Sequence, residues 1–255
     1  MDVVQALDFS EKVVLVTGAS RGIGEAVARA FARRGAVVVL SSRKAEALES
    51  VAAAIRGSGG RALVVQCNLG EPEAVERLYA RIDEEAGRID VVVNNAAANP
   101  FSGPVAETPE WAFDKTVAVN VKGTFLSCQQ AVRRMVAAGS GSIVNVASVA
   151  AFAGLPNQAV YAMTKAAMVA LTRSLAREVG RAGVRVNAVA PGVIRTRFSR
   201  ALTERPEVAE PLRAMTALGR FGEPDEVVGA VLYLASDLAS YTTGTVLVCD
   251  GGTLA

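Results

Sequence analysis

Tyr161 and Lys165 stand four residues apart, and Ser148 lies thirteen residues upstream. Side chains at i and i+4 share one face of a helix, so a phenol and an ammonium in that spacing point at one spot. A cation beside a tyrosine favours the phenolate, and charge alone predicts a phenol pKa below its usual value of about 10. A phenol tuned that way gives and takes protons near neutral pH. The pair alone fits a surface helix with a snorkelling lysine just as well. What favours chemistry is the glycine-rich run Thr17-Gly18-Ala19-Ser20-Arg21-Gly22-Ile23-Gly24 earlier in the chain.

The chain contains no histidine. Ser-His-Asp hydrolysis, Cys-His chemistry and His-ligated zinc all need imidazole, so an enzyme built from this sequence moves protons with Tyr, Lys or carboxylates. Cys67, Cys128 and Cys249 are too few and too scattered for a disulfide framework or a metal knuckle, and the expectation is reduced thiols in or near the core, with no metal site. A net charge of +2 with scattered Lys and Arg leaves no nucleic-acid footprint. No apolar run reaches the ~20 residues of a membrane span. Met1-Asp2-Val3-Val4-Gln5 lacks a signal-peptide layout, and Gly252-Thr253-Leu254-Ala255 is not a peroxisomal address. A soluble cytoplasmic protein is the expectation.

The elements that must position these residues follow from periodicity. Short, nearly continuous apolar runs at Val13–Thr17, Val37–Ser41, Ala62–Cys67, Val91–Asn94, Ser142–Ala147, Val184–Ala190 and Thr245–Cys249 predict strands buried on both faces. Helical periods fill the gaps, at Gly22–Arg34, Lys44–Arg56, Glu71–Ala86, Trp111–Ala138, Ala159–Arg181 and Asp225–Ser236. Regular alternation predicts an α/β fold: a Rossmann-type, doubly wound parallel sheet of about seven strands with helices on both faces. No linker, repeat or low-complexity block divides residues 1–255, so one domain is expected.

The glycine run follows the first strand directly and opens a helix. Glycines permit a tight turn and close backbone approach, and the helix N-terminus offers unpaired N–H groups to a pyrophosphate. The spacing is Gly-x-x-x-Gly-x-Gly, one residue longer than Gly-x-G-x-x-Gly in the usual Rossmann turn. A site for NAD places a carboxylate at the end of the second strand, about 20 residues past the glycines. Here that stretch reads Val39-Leu40-Ser41-Ser42-Arg43-Lys44, with two hydroxyls, two cations and no acid. A 2′-phosphate is welcome beside Arg43, and Arg21 could reach the same place, which predicts NADP(H). The alternative is that Arg43 and Lys44 merely decorate a solvated helix start.

Over nearly its whole length the chain resembles the classical short-chain dehydrogenases/reductases. The resemblance rests on Thr17–Gly24, Asn94-Asn95-Ala96-Ala97, Asn120, Ser148, Tyr161-Ala162-Met163-Thr164-Lys165 and Pro191-Gly192-Val193-Ile194-Arg195-Thr196, in family order and spacing. It implies that Tyr161 is the general acid for ketone reduction and the base for alcohol oxidation. It also implies that Lys165 lowers the Tyr161 pKa and bonds the nicotinamide ribose, and that Ser148 holds the carbonyl oxygen. Asn120 would position a water that relays protons to the lysine. Gly18, Ser20, Arg21, Gly22, Ile23 and Gly24 would cradle the dinucleotide with Ser42 and Arg43. Asn68 and Leu69 would lie near the adenine, Asn95 under the cofactor, and Pro191, Gly192, Ile194 and Thr196 around the nicotinamide amide. Taken singly, Ser148 could be a strand-end cap, Asn120 a helix-kink partner and Thr196 a turn residue. Three positions depart from the family pattern: Ala97 replaces a glycine, Asn68 an aspartate and Thr164 a serine.

The resemblance also implies a substrate flap over about residues 195–220, which here carries Phe198, Leu202, Leu212, Met215 and Leu218 among many arginines. These suit an apolar or aromatic ketone, with Phe101 and Phe152 as candidate walls, or they simply pack the flap onto the domain. Ser41–Lys44, Asn99-Pro100-Phe101 and Arg197-Phe198-Ser199-Arg200 look most like NADP(H)-dependent carbonyl reductases. The runner-up is a 3-oxoacyl-acyl-carrier-protein reductase, with Arg133, Arg134 and Arg177 placed to dock an acidic carrier. A polyol dehydrogenase and a non-catalytic NADP(H)-binding scaffold are the remaining alternatives. Family resemblance implies a homotetramer joined through the two long helices and the last strand.

Overall fold

The computed structural model describes residues 2–255. Seven strands, β1 (Val13–Thr17), β2 (Val37–Ser42), β3 (Arg61–Gln66), β4 (Val91–Asn94), β5 (Gly141–Val146), β6 (Val184–Pro191) and β7 (Val246–Cys249), form one sheet in the order β3-β2-β1-β4-β5-β6-β7. Every pairing is parallel. After a four-residue turn of helix α1 (Val3–Ala6), the crossovers are α2 (Gly22–Ala32), α3 (Ala45–Gly57), α4 (Pro72–Ala86), α5 (Glu110–Val117), α6 (Thr124–Ala138) and α7 (Ala159–Val179). Two short helices, α8 (Arg200–Thr203) and α9 (Pro206–Ala214), precede α10 (Pro224–Ala235).

Period-2 alternation sorts the strand side chains between two cores. Val14, Val16, Val38, Leu40, Val91 and Val144 meet Val27 and Phe31 of α2, Leu48 and Val51 of α3 and Val227 and Val231 of α10. Val13, Leu15, Val39, Val92 and Ile143 meet Leu78 and Ile82 of α4, Cys128 and Met135 of α6 and Ala176 and Val179 of α7. The expected doubly wound sheet is present, with strand ends within one residue of those read from the sequence.

Three expectations are corrected. β3 and β7 are not buried on both faces: they are the sheet's outer strands, and most of their residues are half-buried or exposed. Trp111–Ala138 is not one helix, because residues Ala118–Gly123 form a π-helical segment between α5 and α6. Gly123, at the end of this segment, packs against the Leu69 carbonyl, closer than any side chain would allow. The third helix-to-loop boundary also moves, since α7 ends at Val179 and passes into a short 3-10 turn, Gly180–Ala182. No helix among the described residues is long and apolar enough to cross a membrane.

Candidate active site

Because the sheet is all parallel, every strand delivers its C-terminal end to one edge, and the strand order reverses between β1 and β4. A crevice opens at such a reversal. The glycine turn follows β1, Ser42 and Arg43 close β2, Asn68 and Leu69 follow β3, and Asn95 follows β4. Ser148 follows β5, and Pro191 ends β6 ahead of Gly192, Ile194 and Thr196. Residues from six separate stretches thus converge on one edge.

The glycine turn is held by β4. Asn95 Nδ2 donates to the Thr17 and Gly18 carbonyls at 2.9 and 3.2 Å, and Thr17 Oγ1 accepts from the Asn95 and Ala96 amides at 3.0 and 3.1 Å. Gly18 has φ +68°, and a Cβ there would sit 2.9 Å from Ala96 Cα. A Cβ on Gly24 would strike the Gly18 carbonyl and lie 2.5 Å from Asn95 Nδ2. The backbone therefore approaches where only glycine fits, and the N-terminus of α2 is left facing the crevice. Ser20 and Ile23 are half-buried in this turn. Arg21, Arg43 and Lys44 are exposed, and among the described residues no ion pair or hydrogen bond engages their side chains, although Gln66 Nε2 donates to the Arg43 carbonyl at 2.9 Å. A cradle with free cations at its rim fits a dinucleotide carrying an additional phosphate.

The catalytic candidates meet on the other side of the crevice. Lys165 is 1% exposed, and its Nζ donates to the Val146 carbonyl at 2.6 Å while lying 5.6 Å from the centre of the Tyr161 ring. The expected lowering of the Tyr161 pKa is not found. Burial pushes the phenol up to about 12 although the facing Ser148 hydroxyl pulls it down, and burial pushes Lys165 down to about 7. Desolvation penalises phenolate and ammonium alike, and it is the largest influence on each group. Lys165 also spends a hydrogen bond on strand β5 and not on the phenol. In this state the Tyr161 phenol keeps its proton through the neutral range.

Asn120, 1% exposed, sits within the π-helical segment. Its Oδ1 accepts from the Ala98 amide at 2.7 Å, and its Nδ2 donates to the Ala98 carbonyl at 2.9 Å and to Thr164 Oγ1 at 3.1 Å. Thr164 in turn donates to the Tyr161 carbonyl at 2.8 Å. Asn120 thus joins the loop after β4 to the start of α7, and the wide turn of the π helix carries it there. Three modest roles are also real. Ser148 caps a 3-10 turn, accepting from the Ala150 amide at 3.1 Å, and Thr196 forms a capping box with Ser199. Asn120 ties the π-helical segment to Ala98 in the loop after β4.

The segment after β6 is pinned at both ends by a bridge between Ile194 and Gly222, with Arg195 N donating to Gly222 O at 2.8 Å and Gly222 N to Val193 O at 3.0 Å. Between these pins, the Phe198 ring lies 5.8 Å from the Tyr161 ring. Gly192 is close against Asp250, which ties the flap base to the end of β7. Asn68 is half-committed elsewhere, since it donates to Glu71 at 2.6 Å and accepts from the Gly70 amide at 3.2 Å.

A family model described as enoyl-(acyl carrier protein) reductase matches residues 18–253. Dehydrogenase/reductase SDR family member 4 of Bos taurus is 42% identical over 246 residues, 96% of this chain and 88% of that protein. This chain belongs to the short-chain dehydrogenase/reductase family. Among solved structures, a short-chain dehydrogenase/reductase from Mycobacterium marinum superposes with a TM-score of 0.93 at 39% identity, covering 99% of each chain. A putative NAD(P)-dependent gluconate 5-dehydrogenase from Beutenbergia cavernae, solved with bound NADP, gives 0.94 at 37% identity over 98% of this chain and 99% of that one.

Within this short-chain dehydrogenase/reductase, some site features left no signal in the sequence. The π-helical segment looks like ordinary helix by periodicity, and Thr17 reads as the last residue of a buried strand. The Phe198–Tyr161 contact is between residues 37 positions apart. Arg134, expected to be available for carrier docking, is taken: it pairs with Asp83 and lies 5.1 Å over the Tyr79 ring. Arg133 and Arg177 are exposed. The tightness of the cradle predicts that Gly24→Ala lowers the unfolding free energy by about 1–3 kcal/mol. It should also weaken NADPH binding in a fluorescence titration. Unchanged values in both would mean that the turn has slack.

Proposed function

We propose that this chain is an NADP(H)-dependent carbonyl reductase, taking a ketone to an alcohol with Tyr161 as proton donor. The observation that carries the reading is the grouping of Tyr161, Lys165 and Ser148 at the sheet edge that also carries the glycine cradle. The cofactor supplies hydride when bound. Gly18 through Gly24 and Asn95 hold its phosphates and flank, and Arg21, Ser42 and Arg43 take the 2′-phosphate. Thr196, Ile194, Gly192 and Pro191 line the nicotinamide end, and Asn68 and Leu69 the adenine. Ser148 holds the carbonyl oxygen and steadies the charge that grows there. Tyr161 gives its proton to that oxygen, and Lys165 and Asn120 lie on the route by which it is replaced. Phe198, half-exposed beside Tyr161, offers an apolar face to the ketone.

The reading places the enzyme in the cytoplasm as a homotetramer. Support for the assembly comes from apolar side chains left exposed on the long helices and the last strand: Trp111, Phe113, Phe125, Met163 and Val248. A sedimentation run showing a stable monomer would count against it.

The test is nicotinamide absorbance with an α-dicarbonyl, an aromatic ketone and an acetoacetyl thioester, each with NADPH and NADH. Strong NADPH preference with turnover of the first two is expected. Arg43→Ala should raise the KM for NADPH about tenfold or more and leave NADH nearly unchanged, since a hydrogen bond to a charged group contributes about 1.5–3 kcal/mol. Efficient use of NADH by the unmodified enzyme would overturn the cofactor assignment. Thioester turnover alone would favour a 3-oxoacyl-acyl-carrier-protein reductase. NADPH binding without any turnover would favour the scaffold.

A further inference from the structure

Beneath the catalytic residues runs a buried line of polar side chains that the proton chemistry does not use. Tyr79 of α4 donates to the Ser127 carbonyl of α6 at 2.8 Å, and Ser127 Oγ donates to Asn94 Oδ1 of β4 at 2.8 Å. Asn94 Nδ2 donates to Asn145 Oδ1 of β5 at 2.9 Å, and Asn145 Nδ2 donates to Thr172 Oγ1 of α7 at 2.9 Å. Thr172 passes its own hydrogen to the Met168 carbonyl at 2.8 Å. Tyr79, Ser127, Asn145 and Thr172 have no exposed surface, and Asn94 has 1%. Donor meets acceptor at each step, so five buried polar groups are satisfied at once. Removing Thr172 leaves Asn145 Nδ2, and removing Ser127 leaves Asn94 Oδ1, without its partner in a buried place.

The ends of this line matter for the site. Apolar packing is non-directional, so a helix resting on a sheet through aliphatic side chains alone resists small sliding weakly. Hydrogen bonds have a narrow range of length and angle. α7 makes two of them to β5: Lys165 to the Val146 carbonyl, and Thr172 to the Asn145 amide. Residues 165 and 172 are two turns apart on one helix face, and their partners are adjacent on the strand. β5 ends just before Ser148, and Asn145 is itself held by Asn94, the neighbour of Asn95 under the glycine turn.

We propose that Asn145 and Thr172 are positioning residues: their hydrogen bond sets the register of α7 against β5, and with it the place of Tyr161 and Lys165 relative to Ser148. The proposal rests on the reading of Tyr161, Lys165 and Ser148 as the reacting set. Neither residue touches that set through its own side chain, so the effect is on geometry, where a small misplacement lowers rate more than binding.

Thr172→Val keeps the shape and removes the hydroxyl. Its kcat for ketone reduction should fall about tenfold, with KM for ketone and NADPH changed less than about twofold, and Thr172→Ser should return kcat to within about twofold of the unmodified enzyme. A near-normal kcat in Thr172→Val overturns the proposal whatever happens to the melting temperature. So does a loss that Thr172→Ser does not restore. If Thr172→Val does not fold, Asn145→Ser is read by the same criteria. A second readout needs no turnover: acetylation of Lys165 by acetic anhydride, followed by mass spectrometry. It should run several-fold faster in Thr172→Val, and equal protection would overturn the register argument. An unmodified protein that reduces no carbonyl would fail the functional reading, and the acetylation rates would then decide this proposal alone.

Discussion

Tyr161→Phe is expected to lower kcat for ketone reduction by about 10³-fold while leaving NADPH binding nearly unchanged, because general acid catalysis contributes about 10²–10⁴-fold. The substitution removes one O–H and little else: the ring remains to meet Phe198, 5.8 Å away, and the helix is undisturbed. Burial pushes the phenol up to about 12, so the proton is in place throughout the neutral range. Tyr161 itself should therefore add no pH dependence to reduction near neutrality, and any change there reports Lys165, which burial brings down to about 7. Alcohol oxidation, which needs the phenolate as base, should gain rate as the pH is raised. The measurements are stopped-flow reduction and oxidation rates for both proteins and a fluorescence titration with NADPH. Turnover surviving in Tyr161→Phe would take Tyr161 off the proton path.

Lys165 should make stability depend on pH. Its folded pKa is depressed to about 7 from 10.5 by burial alone. Between those values the unfolded chain binds a proton that the folded chain has released. Stability from this group is therefore fully present above about 10.5 and is lost as pH falls through about 7. The whole swing is of order 5 kcal/mol, at about 1.4 kcal/mol per pH unit. Cys67 and Cys128, which burial pushes up to about 11 and about 12, act in the opposite sense in the alkaline range. Tyr161 does the same. The informative quantity is therefore the difference between the unmodified protein and Lys165→Met, which cancels those groups. Urea unfolding from pH 7 to 9.5 should show that difference growing in favour of the unmodified protein by several kcal/mol. Parallel curves would mean that Lys165 keeps an ordinary pKa in the fold.

Lys165 also explains why such a group is tolerated in the core at all. Among the described residues its ammonium has one acceptor, the Val146 carbonyl, and no carboxylate partner. The three-way meeting of phenol, hydroxyl and amine is held by backbone and helix placement and not by an ion pair, which is the arrangement a site uses when the charge on a group must be free to change.

Much of this protein follows from local order in the sequence. The alternation of β-branched runs and helical periods sets a parallel sheet, since only crossovers of helix length can join parallel strands. The parallel sheet in turn requires that Gly18, Arg43, Asn95, Ser148 and Thr196 share one edge, because each follows the C-terminal end of a strand. Glycine spacing, the missing acid after β2 and the absence of histidine are properties of residue type, and they survive any detail of packing.

Tertiary structure decided the rest. Trp111–Ala138 has unbroken helical periodicity, and no local pattern records its π-helical interruption or the close packing of Gly123 on the Leu69 carbonyl. β3 and β7 are apolar like the inner strands, and only their place in the strand order leaves them part-exposed. The sign of the Tyr161 shift also lies beyond sequence. Spacing places a cation near a phenol, but it does not say how much water either keeps, and in this fold desolvation is the larger effect. Charges and glycines act through what they are; pKa values and register depend on what surrounds them, which the chain acquires only by folding.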